Sequence, residues 1–114
     1  MHELSVALSL VELAQEEAER LGRRVRAVHV RVGALSGVAS EALLTAYEIA
    51  CADTPLEGSR LVIEQVPVVV FCLQCQAERP LDSIQWFCCS HCGSLAPEVR
   101  RGKELELLAM EVEP

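Results

Sequence analysis

The chain has 114 residues, six of them cysteine, with a formal net charge of −7 and an apolar fraction of 51%. That length holds one ordinary domain, or a small core with a stapled subdomain, and that apolar fraction excludes a disordered chain. The acidic balance argues against electrostatic binding of nucleic acid, and no uncharged apolar run approaches the roughly eighteen residues that a membrane span needs.

Met1, His2 and Glu3 open the chain with three potential metal ligands in three residues. An α-amine is partly neutral at physiological pH, imidazole is the commonest metal ligand, and Glu3 adds a carboxylate. Amine and imidazole can close around one ion with the amide nitrogen of His2 between them. Deprotonating that amide gives fused chelate rings in a plane, an arrangement that Ni(II) and Cu(II) favour over zinc. Such a site is exposed and releases its ion readily. The plain alternative is a frayed terminus with His2 merely solvated.

Residues 1–21 are predicted to form an amphipathic helix. Leu4, Leu8, Val11, Ala14 and Ala18 recur at helical spacing, with Ser5, Ser9, Glu12, Glu16 and Glu19 on the other side. Gly22 is placed to stop it. Residues 24–32 are predicted as a strand, with Val28, Val30 and Val32 on one face and Ala27, His29 and Arg31 on the other. Residues 33–37 make a turn. Ser40 is placed to cap a second helix running to about residue 52, with Leu43, Tyr47 and Ala50 on its buried side and Cys51 a core thiol. A second strand is predicted over 60–66.

The segment FCLQCQAERPLDSIQWFCCSHCGS then carries Cys72-x-x-Cys75 and Cys89-x-x-Cys92, thirteen residues apart. Two thiolates three positions apart on a tight turn can point at one ion, and a second such turn completes a tetrahedron. Four thiolates suit structural zinc, with iron the competitor. Cys88 adjoins Cys89, and three-residue spacing to Cys92 favours Cys89 as the ligand. Gly93 follows the second pair where a positive φ is wanted, whereas Gln76 fills the matching position after the first. Six cysteines without a signal peptide do not indicate a disulfide framework, and the chain is expected in the cytoplasm. His91 within the second turn is expected to face solvent, and His29 to lie on the polar face of the sheet.

A last strand is predicted over 103–112. Leu105 and Leu107 share one parity, while Leu108, Met110 and Val112 take the other. That phase change calls for a bulge or for a central strand buried on both faces. The expected fold is therefore α+β, with two helices packed on a three-stranded mixed sheet and an inserted zinc-ribbon subdomain. The division expected is 1–70 for the α/β core, 71–101 for the zinc ribbon and 102–114 for a final strand returning to the core sheet.

The opening MHELS, the loop VGALSGV at 32–38, TPLEG at 54–58 and the paired C-x-x-C ending in CGS together resemble the HypA/HybF family over nearly the whole chain. The resemblance implies a nickel metallochaperone for maturation of [NiFe]-hydrogenase, serving urease as well in some organisms. It implies Ni(II) as transient cargo on Met1, His2 and Glu3, and structural Zn(II) on Cys72, Cys75, Cys89 and Cys92. It also implies a HypB-type GTPase partner and delivery to the hydrogenase large subunit or its maturation complex. Ser90 stands where the family often has proline, and Cys88 duplicates a thiol beside it. No nucleophile–base pair or phosphate-cradling loop is visible, so no catalysis is expected. Neither nucleic acid nor membrane insertion is expected, and monomer and dimer are both open. Without nickel, the same pattern would suit a zinc-ribbon adaptor or nucleic-acid-binding module; with iron, a rubredoxin-like electron carrier.

Overall fold

The computed structural model describes residues 2–114. Helix α1 spans Glu3–Leu21 and ends as the sequence indicates. Gly22 adopts φ 65°, and its N–H and that of Arg23 fold back onto the carbonyls of Ala18 and Glu19, a left-handed glycine stop. Strand β1 (Val25–Gly33), helix α2 (Ser40–Cys51) and strand β2 (Arg60–Val66) follow. β1 pairs with β2 in parallel, which needs the α2 crossover between them, and with the last strand β6 (Leu105–Val112) antiparallel. The sheet order is β2-β1-β6, mixed as expected, with β1 at the centre. α1 and α2 cover one face, where Leu10, Val11, Leu43 and Tyr47 meet Val28, Val30 and Val32.

Three details correct the sequence reading. The buried face of α1 is Val6, Ala7, Leu10, Val11 and Ala14, while Leu8 is 53% exposed. Leu4 and Ala18 lie at its margins, only partly buried. α1 packs chiefly on α2 rather than flat on the sheet, which turns its stripe away from Leu8. Ser5, Ser9, Glu12, Glu16 and Glu19 are exposed as expected. Second, Ala39 and not Ser40 occupies the N-cap of α2, and no side chain of its own caps the helix. The Glu3 carboxylate instead accepts the Ala39 N–H at 3.2 Å, the role a capping-box glutamate fills within one helix. Ser40 is the first helical residue, and its hydroxyl accepts from Gln65 Nε2 at 3.4 Å. Third, β6 is an edge strand, so the doubly buried alternative fails and the bulge remains. Its register against β1 slips between Ala109 and Leu107, leaving Leu108 unpaired and half exposed. The slip lets Leu105, Leu107, Met110 and Val112 all reach the same core despite their opposite parities.

Between β2 and β6 the chain builds a second sheet of order β4-β3-β5. It consists of β3 (Val69–Cys72), β4 (Ala77–Pro80) and β5 (Glu98–Arg101), all antiparallel. Its core is small: Val68, Val70 and Ala96, flanked by Leu35, Leu81, Phe87 and Val99. Leu35 belongs to the loop after β1, so that loop pins the two sheets together. Gly33 N–H donates to Glu104 O at 2.7 Å and Leu35 N–H to Gly102 O at 2.6 Å. A Cβ on Gly33 would lie 2.2 Å from the Gly102 carbonyl oxygen, so only glycine lets the strands cross there. The molecule extends 52 × 25 × 15 Å, with a radius of gyration of 17.4 Å. A compact chain of this length would have about 13 Å, so the two sheets form lobes in line rather than one ball. No helix among the described residues is long and apolar enough to cross a membrane.

Candidate metal centres

The small lobe draws four sulfurs together. β3 delivers Cys72, fully buried, and the turn after it presents Cys75. The second turn presents Cys89 and Cys92. The two turns share one design. Cys75 N–H donates to Cys72 Sγ at 3.4 Å, and Cys92 N–H to Cys89 Sγ at 3.4 Å. Each turn closes through a residue at positive φ, Gln76 at 53° and Gly93 at 78°. Glycine takes that conformation freely. Gln76 takes it at a steric cost, with its side-chain amide donating to Leu73 O at 2.6 Å.

The Sγ atoms of Cys72, Cys75, Cys89 and Cys92 all lie within 4.8 Å of one another. Cys72 and Cys92 are 3.5 Å apart, and Cys75 and Cys89 are 3.9 Å apart. Zinc–sulfur bonds of about 2.3 Å in a tetrahedron put sulfurs roughly 3.8 Å apart, so the set matches a four-thiolate zinc centre. Cys88 lies outside the cluster, its backbone bridged to Leu95.

The donor set is chemically prepared for a cation. The Cys92 N–H, with that of His91, pulls the Cys89 thiol down to about 6. Ser94 lowers Cys92 through its hydroxyl and its N–H. Arg79 pulls Cys75 down, but crowding by the Cys92, Cys72 and Cys89 sulfurs and desolvation push it up to about 11. Four sulfurs this close cannot all ionise without a positive charge among them. A divalent ion at the centre of the four would supply it.

The second candidate lies where α1 begins. Met1 is outside the described residues. His2 is exposed at the N-cap of α1, and its carbonyl accepts the Val6 N–H at 3.2 Å. Glu3 stands in the first helical turn, its carboxyl held below the ordinary carboxylate range chiefly by the Ala39 N–H. His2 and Glu3 are thus adjacent and accessible, with one Glu3 oxygen engaged at the start of α2. The other two histidines lie elsewhere. His29 Nε2 meets Glu111 Oε2 at 2.7 Å on the open face of the main sheet, and His91 is exposed within its turn. Cys51 is buried beside Ser59 and Tyr47, a core thiol as expected.

Two contributors escaped the sequence. The Ala39 N–H that engages Glu3 is backbone, which side-chain motifs do not reveal. Arg79 stands against Cys75 and Cys89 from strand β4, and no spacing marked it, because Cys75 and Gln76 lie in the turn before that strand and the positive φ of Gln76 breaks the alternation.

Comparison with known proteins finds relatives over nearly the whole chain. A family model described as hydrogenase/urease nickel incorporation, metallochaperone, hypA matches residues 1–112. The chain is 47% identical to the hydrogenase maturation factor HypA of Roseiflexus sp. (strain RS-1), covering 99% of this chain and 93% of that protein. It is 46% identical to the corresponding factor of Chloroflexus aurantiacus, covering 97% and 98%. Among solved structures it is similar to the solution structure of the Ni metallochaperone HypA from Helicobacter pylori. The TM-score there is 0.66, with 25% identity and coverage of 98% and 97%. A second solution structure of a HypA protein superposes with a TM-score of 0.72, also at 25% identity, with coverage of 99% and 97%.

Proposed function

The chain belongs to the HypA family of hydrogenase maturation factors, the nickel-incorporation metallochaperones, and from that premise we propose how it handles its cargo. Ni(II) is bound through Met1, His2 and Glu3 and delivered during maturation of [NiFe]-hydrogenase. Urease is a second client of the same chemistry. The observation that carries this reading is the placement of His2 and Glu3, adjacent and accessible at the start of α1, while the four cysteines gather in the other lobe. One end suits a cargo that must leave, and the other suits an ion that must stay.

Structural Zn(II) is held by Cys72, Cys75, Cys89 and Cys92. It supplies the charge and cross-link that a lobe with only three buried apolar core residues needs in order to fold. The two helices and the main sheet, from Glu3 to Val66 with Leu105–Val112 as the closing strand, act as the nickel-handling core, and 68–101, which include Val68 and Val70, as the zinc lobe. The chain's own groups carry out capture and release. The α-amine and the His2 imidazole lose protons to coordinate, and the Glu3 carboxylate, already ionised, offers an oxygen while remaining tied to Ala39. Release is ligand exchange, with no bond made or broken in the chain, so the protein is not an enzyme. Energy for directional delivery comes from a HypB-type GTPase, and the recipient is the hydrogenase large subunit or its maturation complex, in the cytoplasm.

The test is a calorimetric nickel titration of the zinc-loaded, untagged chain and of His2→Ala between about pH 8 and pH 6. Wild-type affinity should fall across that range, because amine and imidazole must both shed protons. Glu3 contributes little to the slope. Its carboxyl is lowered from an ordinary value of 4.5, so it stays ionised throughout. His2→Ala should lose most of the binding and keep its zinc. Affinity that is flat with pH, or unchanged in His2→Ala, would remove the chain start as the nickel site.

A further inference from the structure

We infer that Arg79 is the counter-charge of the four-thiolate centre, keeping its sulfurs on the metal and shielding them from chelators and electrophiles. This rests on the reading of the cysteine cluster as a zinc site. Four thiolates around one divalent ion leave two negative charges in a small, partly buried lobe. Such charge is tolerated only where donors or cations answer it. Backbone N–H groups answer part of it at Cys72 and Cys89.

The strand register supplies the rest. In the β3–β4 pair, Ala77 lies opposite Cys72 and Arg79 opposite Val70. Directly opposed residues share a face, so Arg79 points to the same side as Cys72 and Val70, both fully buried. Its sequence neighbours take the other side, where Glu78 is engaged by Arg101 at 3.2 Å. Arg20, Arg31, Arg100 and Arg101 each pair with a carboxylate at hydrogen-bond range. Arg79 has no carboxylate partner among the described residues. Its guanidinium faces the Cys75 sulfur and, next, the Cys89 sulfur, and both favour its charged form. Its Nε is buried and satisfied by no protein atom. A half-buried guanidinium whose Nε finds no anion is costly, and so is a partly buried dianion without a cation. The lobe places the two together, and the planar fork of arginine can reach two sulfurs at once.

The experiment uses the zinc-loaded full chain with Arg79→Met, which keeps the apolar stem, and Arg79→Lys, which keeps the charge. Zinc release to excess EDTA is timed, and alkylation by N-ethylmaleimide is followed cysteine by cysteine by mass spectrometry. Cys88, outside the cluster, reports general opening of the lobe. Arg79→Met should release zinc and expose Cys75 and Cys89 about tenfold faster or more, the usual scale for loss of an outer-sphere partner. Cys88 should react at an unchanged rate, and Arg79→Lys should recover most of the protection. Unchanged rates in Arg79→Met would overturn the inference. So would Arg79→Lys as fast as Arg79→Met, or Cys88 accelerating in step with the ligand thiols. Should Arg79→Met purify without zinc, competition titration replaces timing: its affinity should be at least tenfold below that of Arg79→Lys, and equal affinities overturn the inference. Zinc content of the wild-type chain is measured first, because a wild type without zinc fails the reading of the site rather than the role of Arg79.

Discussion

Two glycines separate steric need from conformational need. At Gly33 the space is closed: an added Cβ meets the Gly102 carbonyl at 2.2 Å and the Glu104 nitrogen at 2.7 Å, both backbone. At Gly93 nothing lies within 4 Å, and only its φ of 78° resists a side chain. Gly33→Ala should therefore destabilise the fold by about 3 kcal/mol or more, because backbone cannot yield as a flexible side chain would. Gly93→Ala should cost only about 1 kcal/mol. Urea unfolding of both variants checks the order, and equal costs would mean the Gly33–Gly102 crossing is looser than drawn. The sequence already marked Gly93 through the spacing of its cysteines. It also identified Gln76 as the poorer counterpart, and the structure makes Gln76 take the strained conformation all the same. The sequence placed Gly33 in a turn but not in a tight crossing, because its need arises from the loop between β5 and β6, far along the chain.

Among the elements, α1 shows why a helix can be recognised before its buried face is known. Leu4, Val6, Ala7, Leu8, Leu10, Val11, Leu13 and Ala14 leave little of its circumference polar over the first three turns. Periodicity then permits more than one stripe, and the choice falls to the partner that α1 packs against. Leu10→Ala should cost about 2–4 kcal/mol, whereas Leu8→Ala should stay within about 0.5 kcal/mol. Comparable losses at both positions in thermal or urea unfolding would restore the stripe through Leu8. β6 is the opposite case. Its change of parity was visible in the sequence, and the pattern allowed two explanations that only the strand order could separate. β2 was legible to the residue, 60–66, because turn residues bound it closely on both sides.

At the scale of the whole molecule, the sequence disclosed an insert between the second and last strands of the core sheet, and the four cysteines marked it as a metal site. The three short strands inside it were not legible. They are four residues each, too short for periodicity to register, and their pairing depends on turns that the metal ligands form. The junction between the lobes was equally silent, since backbone hydrogen bonds and one leucine make it. With so small a core, the zinc lobe should fold only with its ion. Stripping zinc under denaturant-free conditions should collapse that lobe and leave the helices of the larger one, so far-UV helical signal should persist while Trp86 fluorescence changes. Loss of the helical signal with the metal would show that the lobes do not fold separately.

A nickel site at the chain start depends above all on the α-amine of Met1. Placing Gly-Ser ahead of Met1 converts that amine to an amide, a far poorer donor until deprotonated, and shifts the backbone around which the chelate rings form. His2 and Glu3 remain, the four-cysteine centre lies in the other lobe, and the fold should be unaltered. Calorimetric nickel titration of the two forms, with zinc content matched, is therefore the direct measurement. The extended chain should bind nickel about tenfold more weakly or worse, the scale of losing one ligand and its ring. Equal affinities for the extended and native chains would contradict a nickel site built on the α-amine.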